Sequence, residues 1–157
     1  MNLSAALDHI ADAYWGELYG IAFFNHYLNH YPQSTLRPLW QQLLAVEQLT
    51  AARLQPLLPV ATGEAERVLQ QQQKGIRDAE RWLRQPWPQL LQTLLTWVEP
   101  YEQRYRQQLA LAVDSPEQRQ ALQLIADHET AIYQCLQRYQ AGECGLAVLQ
   151  AFLDKYR

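Results

Sequence analysis

The feature that most constrains this chain is a glutamate set in the middle of each of four otherwise apolar helical seams. Leu122, Ile125, Glu129, Ile132, Leu136 and Tyr139 recur at alternating spacings of three and four. That is the repeat of a helix packed along one face. The pattern returns in Leu3, Leu7, Ile10, Tyr14, Glu17, Ile21, Phe24, Leu28 and Tyr31, and in Leu36, Trp40, Leu43, Glu47, Thr50 and Leu54. It returns again in Leu91, Leu95, Val98, Glu102, Tyr105, Leu109 and Ala112. The spacing predicts an all-α chain built on four long helices, each burying one carboxylate.

Breakers divide the chain accordingly. Tyr31-Pro32-Gln33-Ser34 ends the first helix, because proline disfavours helix at the residue before it. The second runs from about Thr35 to Gln55, with Ser34 or Thr35 as its cap and Pro38 in its first turn. Pro56 and Pro59 stop it. Thr62-Gly63-Glu64 then opens a more polar helix within about residues 63 to 84, with Ala65, Val68, Leu69, Ile76, Ala79 and Leu83 on its thinner apolar face. The third long helix spans about Pro88 to Val113 and contains Pro100. Ser115, Pro116 and Gln118 give the fourth a strong start, at cap, first position and third residue after the cap. Gly142 and Gly145 end it near Gln140, and Leu146 to Tyr156 form a short closing helix. Trp82, Trp87 and Trp97 are expected to pack the crossover against the rest.

Levels along the helices bring the carboxylates together. Glu17 lies 15 residues before Pro32 and Glu47 lies 15 after it. At about 1.5 Å per residue, both sit roughly 22 Å from that turn. Glu102 precedes Ser115 by 13 residues and Glu129 follows it by 14. If the crossover runs the length of the molecule, the two hairpins pack antiparallel and all four carboxylates meet at the centre. An isolated buried carboxylate costs several kcal/mol. Such a cluster therefore needs a cation, protons or basic partners. Carboxylate oxygens suit hard dications, and iron, manganese or zinc also accept an imidazole. His128 is the imidazole beside Glu129. It lies about 100° round the helix, in a second row with Ala121, Leu124, Ala131 and Cys135. It is read as a displaced ligand or as a structural histidine. Tyr14, Thr50 and Tyr105 stand three residues from a cluster glutamate, as candidate hydrogen-bond donors or as core. His9, His26 and His30 fall off the seams.

The pattern resembles the ferritin-like superfamily of dimetal carboxylate bundles, over about residues 3 to 139, within a single domain of residues 1 to 157. That resemblance implies two hairpins joined by a long crossover. It matches Glu17 and Glu102 to the single glutamates of the first and third helices, and Glu47 and Glu129 to the Glu-x-x-His motifs of the second and fourth. Here those motifs read Glu47-Gln48-Leu49-Thr50 and Glu129-Thr130-Ala131-Ile132, without either histidine. Glu17-Leu18-Tyr19-Gly20 and His128-Glu129 are also similar to pieces of small bacterial ferritin-like proteins. Two functions follow as expectations. The first is a degenerate metal site on Glu17, Glu47, Glu102, His128 and Glu129, holding iron or another divalent metal for redox or oxygen chemistry. The second is a non-catalytic binding or self-association module whose site is a metal-free relic. Members of such bundles often pair through helix faces, so a homodimer is expected.

Composition narrows the remaining classes. A net charge of −3, with no Lys/Arg run, argues against a nucleic-acid surface. No apolar stretch approaches the ~20 residues of a membrane span, and Asp8 and Asp12 interrupt the N-terminal apolar residues where a signal peptide would lie. Two cysteines, Cys135 and Cys144, make no disulfide framework, so a reducing cytoplasm is the default.

Overall fold

The computed structural model describes residues 3–59, 64–110, 113 and 115–157. These form an all-helical structure, with no strand among the described residues. In chain order the α-helices are α1 (Leu3–His30), α2 (Arg37–Leu54), α3 (Glu64–Trp82), α4 (Trp87–Gln108), α5 (Pro116–Gln140) and α6 (Leu146–Tyr156). Among the described residues, no helix is long and apolar enough to cross a membrane.

α1 and α2 pack side by side across the Pro32 break, as do α4 and α5 across Ser115. α3 runs parallel to α1. Arg67 lies over Trp15, Asp78 accepts from the Tyr19 hydroxyl at 2.7 Å, and Gln85 accepts from Tyr31 at 2.8 Å. α4 returns antiparallel to α1, from Trp97 beside Phe23 to Gln108 beside His9. α6 closes over α2 and α5, where Gln42 and Gln150 bond at 2.9 Å and Phe152 meets His128 edge-on.

The termini follow local chemistry. Ser115 caps α5 by accepting from the Gln118 amide at 3.3 Å, as its sequence predicts. α5 ends on Gly142 at φ +80°, with the Glu143 amide bonded to the Arg138 carbonyl and the Gly142 amide to that of Tyr139. This paired closure favours a residue in the left-handed region, the region that glycine enters at no steric cost.

Several expectations need correction. Neither Ser34 nor Thr35 caps α2; both lie in a 3₁₀ turn, Ser34–Leu36, and Leu36 holds the cap position without a side-chain bond. α4 ends at Gln108, short of Val113, and Ala112 and the Thr62-Gly63 start lie outside the described residues. On α1 the most buried stripe is Ala6, Ile10, Ala13, Glu17, Gly20, Phe24 and Tyr27, while Leu7, Ile21, Leu28 and Tyr31 are only half-buried. The true seam runs through small residues, which a count of large apolar ones passes over. On α3, Leu69 and Ile76 are exposed, and Gly75, Asp78 and Ala79 form the buried face. A Cβ on Gly75 would stand 2.5 Å from the Tyr19 carbonyl, so α3 reaches α1 by backbone proximity rather than through a hydrophobic stripe. Trp82 and Trp97 do wedge beside α1, with ring centroids 4.8 Å apart. Trp87 instead packs on Trp40 and Tyr139.

Candidate metal centre

The three/four spacing turns Glu17 of α1, Glu47 of α2 and the His128–Glu129 pair of α5 inward at one level. Glu17, Glu47 and His128 are all buried, His128 completely. Glu129 is mostly covered, its side chain 16% exposed. The His128 Nε2 stands 3.3 Å from Glu17 Oε2, 3.5 Å from Glu47 Oε2 and 3.7 Å from Glu129 Oε1. On the other side of the ring, Nδ1 shares a 2.8 Å hydrogen bond with Thr50 Oγ1, and Thr50 is fully buried. A proton on Nδ1 donated to Thr50 leaves the Nε2 lone pair facing the carboxylates.

Glu102 is placed differently. It is buried on α4, but Arg106 donates to its Oε2 at 3.1 Å and the Thr130 hydroxyl to its Oε1 at 3.3 Å. Its charge reaches Glu129, yet its oxygens are engaged elsewhere. Three carboxylates therefore gather round one imidazole, and the fourth sits beside them in its own contacts. Tyr14 and Tyr105 are core residues. Among the described residues, neither hydroxyl bonds a carboxylate of the cluster. Burial raises the Tyr105 hydroxyl pKa, as do the nearby charges of Glu129 and Glu17. His9, His26 and His30 lie away from the cluster, His26 paired with Glu80 and His9 with Gln108.

The electrostatics record the crowding. Burial pushes Glu17 well above the carboxylate range, and the charge of Glu47, a hydrogen bond to it, and Glu129 add to the shift. Burial drives Glu129 up to about 7 against the pull of His128, with Glu47 and Glu102 adding. For His128, burial favours the neutral ring, but Glu47 and Glu129 outweigh it and the pKa rises. The group can thus neutralise itself with protons.

It also fits a metal ion. One ligand atom each from Glu17, Glu47 and His128 lies within 4.8 Å of the others. Two donors at ordinary metal–ligand distances around a single ion stand roughly 3.0–3.5 Å apart, close to the spacings about Nε2. Glu17 Oε2 and His128 Nε2 are buried without a hydrogen-bond partner, which is costly for groups left so. Gly20 belongs to the same arrangement. A Cβ there would be 2.6 Å from the Glu47 carboxylate, so the glutamate lies against bare backbone.

A cavity of about 360 Å³ leads inward between α1, α3 and α4, reaching Glu17, Glu47 and Glu129 at its inner end. The roles of Arg106, Thr130 and the cavity's Arg67, Lys74 and Arg104 carried no signal in the seam pattern. Of the two glycines that flank Glu17 in mid-helix, Gly16 and Gly20, only Gly20 is closely approached by a neighbour. Comparison with known proteins finds no family model, no curated protein and no solved structure that matches this chain.

Proposed function

We propose that the chain is a divergent ferritin-like protein, its long helices a four-helix bundle of that kind, whose core holds one divalent metal ion for redox or oxygen chemistry. Glu17, Glu47 and the Nε2 of His128 are the ligands, and Glu129 faces them as a further oxygen donor. The observation that carries this reading is the pair Glu17 Oε2 and His128 Nε2, both buried, 3.3 Å apart and without a hydrogen-bond partner, within ligand reach of Glu47. Thr50 stands where the resemblance expects the second helix's histidine. It hydrogen-bonds His128, so an imidazole from α5 takes up the vacant side of the cluster. With Glu102 tied to Arg106 and Thr130, the donors suffice for one ion rather than two.

A bound ion supplies a Lewis acid and, for iron or manganese, a one-electron couple. The chain's own part is to fix the imidazole tautomer through Thr50, to hold the carboxylates in a dry site, and to admit small molecules through the cavity. The rival reading is a metal-free helical binding module. What favours it is the raised pKa of Glu17, Glu129 and His128, which lets protons replace the cation.

Elemental analysis after purification without chelator, followed by loading with Fe(II), Mn(II) or Zn(II), separates the two. One ion per chain is expected, lost in His128→Ala. Two ions would overturn the single-ion assignment, and none in any loaded sample would leave the metal-free module.

A further inference from the structure

The mouth of the cavity is not explained by the metal centre at its inner end. Arg67, Lys74 and Arg104 line it, and each sits over an aromatic ring. Arg67 is 4.3 Å from the Trp15 ring centroid, Lys74 is 5.6 Å from that of Tyr19, and Arg104 is 5.2 Å from that of Tyr101. All three cations are exposed, and among the described residues none forms an ion pair. Asp12 is the one acid among the exposed lining residues. In a chain of net charge −3, this gathering of positive charge runs against the overall balance.

The walls stand without a ligand. α3 is pressed onto α1 at Gly75, and α1 meets α4 through Trp97, whose ring lies 5.7 Å from Tyr19 and 6.2 Å from Phe23. The volume falls in the range of small-molecule sites, which combine apolar walls with a few convergent polar groups. At the inner end, Glu17 is 3% exposed and presents an oxygen with no hydrogen-bond partner.

We propose that this cavity binds a small organic anion. Its single acidic head group is held at Arg67, Lys74 and Arg104, and its aromatic or apolar body lies among Trp15, Tyr19, Trp97 and Tyr101. Guanidinium groups stacked on rings keep their charge and their donors for a planar acid. The rings supply apolar area at little conformational cost. Glu17, Glu47 and Glu129 repel a second acid, so the ligand's inner end is uncharged or a hydrogen-bond donor. The inference rests on the cavity and its rim and does not require an occupied metal site.

The test is a fluorescence titration of the full chain with 1-anilinonaphthalene-8-sulfonate, an aromatic body with one acid, at neutral pH and physiological ionic strength. Its neutral counterpart, N-phenyl-1-naphthylamine, is run alongside. Wild type is expected to bind one sulfonate per chain, and Lys74→Ala/Arg104→Ala to bind it roughly five- to tenfold more weakly. The neutral probe should bind both proteins equally. Val98→Trp, which fills the cavity from α4, should abolish both; if that variant does not fold, the exposed-cation variant still decides. Absence of saturable sulfonate binding, or equal affinity in the double variant, overturns the proposal, as does an equal loss for the neutral probe. Metal stoichiometry is read separately on the same wild-type protein. Sulfonate binding without metal sinks the metal reading alone, and metal without sulfonate binding sinks this one alone.

Discussion

Gly16 and Gly20 flank the same buried glutamate, one residue before it and about one turn after it, and they should answer alanine in opposite ways. Gly16 is exposed and a Cβ there meets nothing within 4 Å. Gly16→Ala should therefore raise stability by about 0.5–1 kcal/mol through helix propensity, as read from denaturant midpoints. Gly20→Ala sets a methyl against the Glu47 carboxylate. It should push that side chain off His128 and weaken metal binding in calorimetry, even where the helix itself gains. Protons at the cluster make a second prediction at this scale, for chelator-treated protein. Burial raises Glu129 to about 7 in the folded state, so the native protein binds a proton that the unfolded chain has already lost above pH ~4.5. Stability should fall as pH rises from about 4.5 to 7, by an amount of the order of 3 kcal/mol from this group. The raised pKa values of Glu17 and His128 act with the same sign. A denaturation series that is flat or rising over that window would contradict it. The cysteines differ in the same physical way. Cys135 is buried with its thiol pushed up to about 12, by burial first and by Cys144 second, whereas Cys144 is exposed. Iodoacetamide should label one thiol per native chain and two in denaturant, counted by mass.

The elements were legible wherever spacing and breakers decide them. Pro32, Ser115-Pro116 and Gly142 act through backbone sterics and hydrogen bonds that need no tertiary partner, and α1, α2, α5 and α6 begin or end beside them. The shared level of Glu17 and Glu47 was equally readable, because rise per residue is fixed and both helices leave one turn. What depends on a partner was not. Nothing in the sequence ranks Arg106, one turn along α4, against the cluster as the place for the Glu102 oxygens. Nor does it say that α6 will cover the Ala121–Cys135 row and so bury His128. Leu149, Phe152 and Leu153 form the buried face of α6, and a polar clasp holds its end. Lys155 donates to Asp127 Oδ2 at 3.0 Å, the Tyr156 hydroxyl donates to the same oxygen, and Arg53 donates to the Tyr156 carbonyl. Burial raises Asp127, yet the bonds from Tyr156, Lys155 and Gln123 outweigh it and its pKa falls below the usual value. Asp127→Asn should loosen α6 at a cost of about 1 kcal/mol, since Asn keeps one acceptor but loses the charge. Hydrogen exchange is the measurement that checks this: the amides of Phe152 and Leu153 should lose protection while those of α1 keep theirs.

For the molecule as a whole, burying a carboxylate cluster sets the core's packing against its electrostatics, and the sign of a glutamate substitution tells which ion resolves the conflict. With a metal on Glu17, Glu47 and His128, folding is linked to binding, because the unfolded chain offers no preformed site. At free metal a hundredfold above Kd, the linkage is worth about 2.7 kcal/mol, or a rise in Tm of roughly 5–10 °C for a chain of this size. Glu47→Gln removes a ligand charge and should abolish that rise. Glu102→Gln leaves the three ligands in place and should keep it, because Glu102 is already spent on Arg106 and Thr130. The two variants thus separate a one-ion site from a dimetal one, in which both would lose the response. If protons alone hold the cluster, added metal moves no melting curve. Glu47→Gln then relieves repulsion on Glu17 and Glu129, so Tm stays level or climbs at neutral pH, where ionised carboxylates repel most. Differential scanning calorimetry of wild type and both variants, with and without Mn(II) or Zn(II), reads all three outcomes. A metal-independent gain in Glu47→Gln would remove the metal centre and leave a helical module with a self-neutralised core.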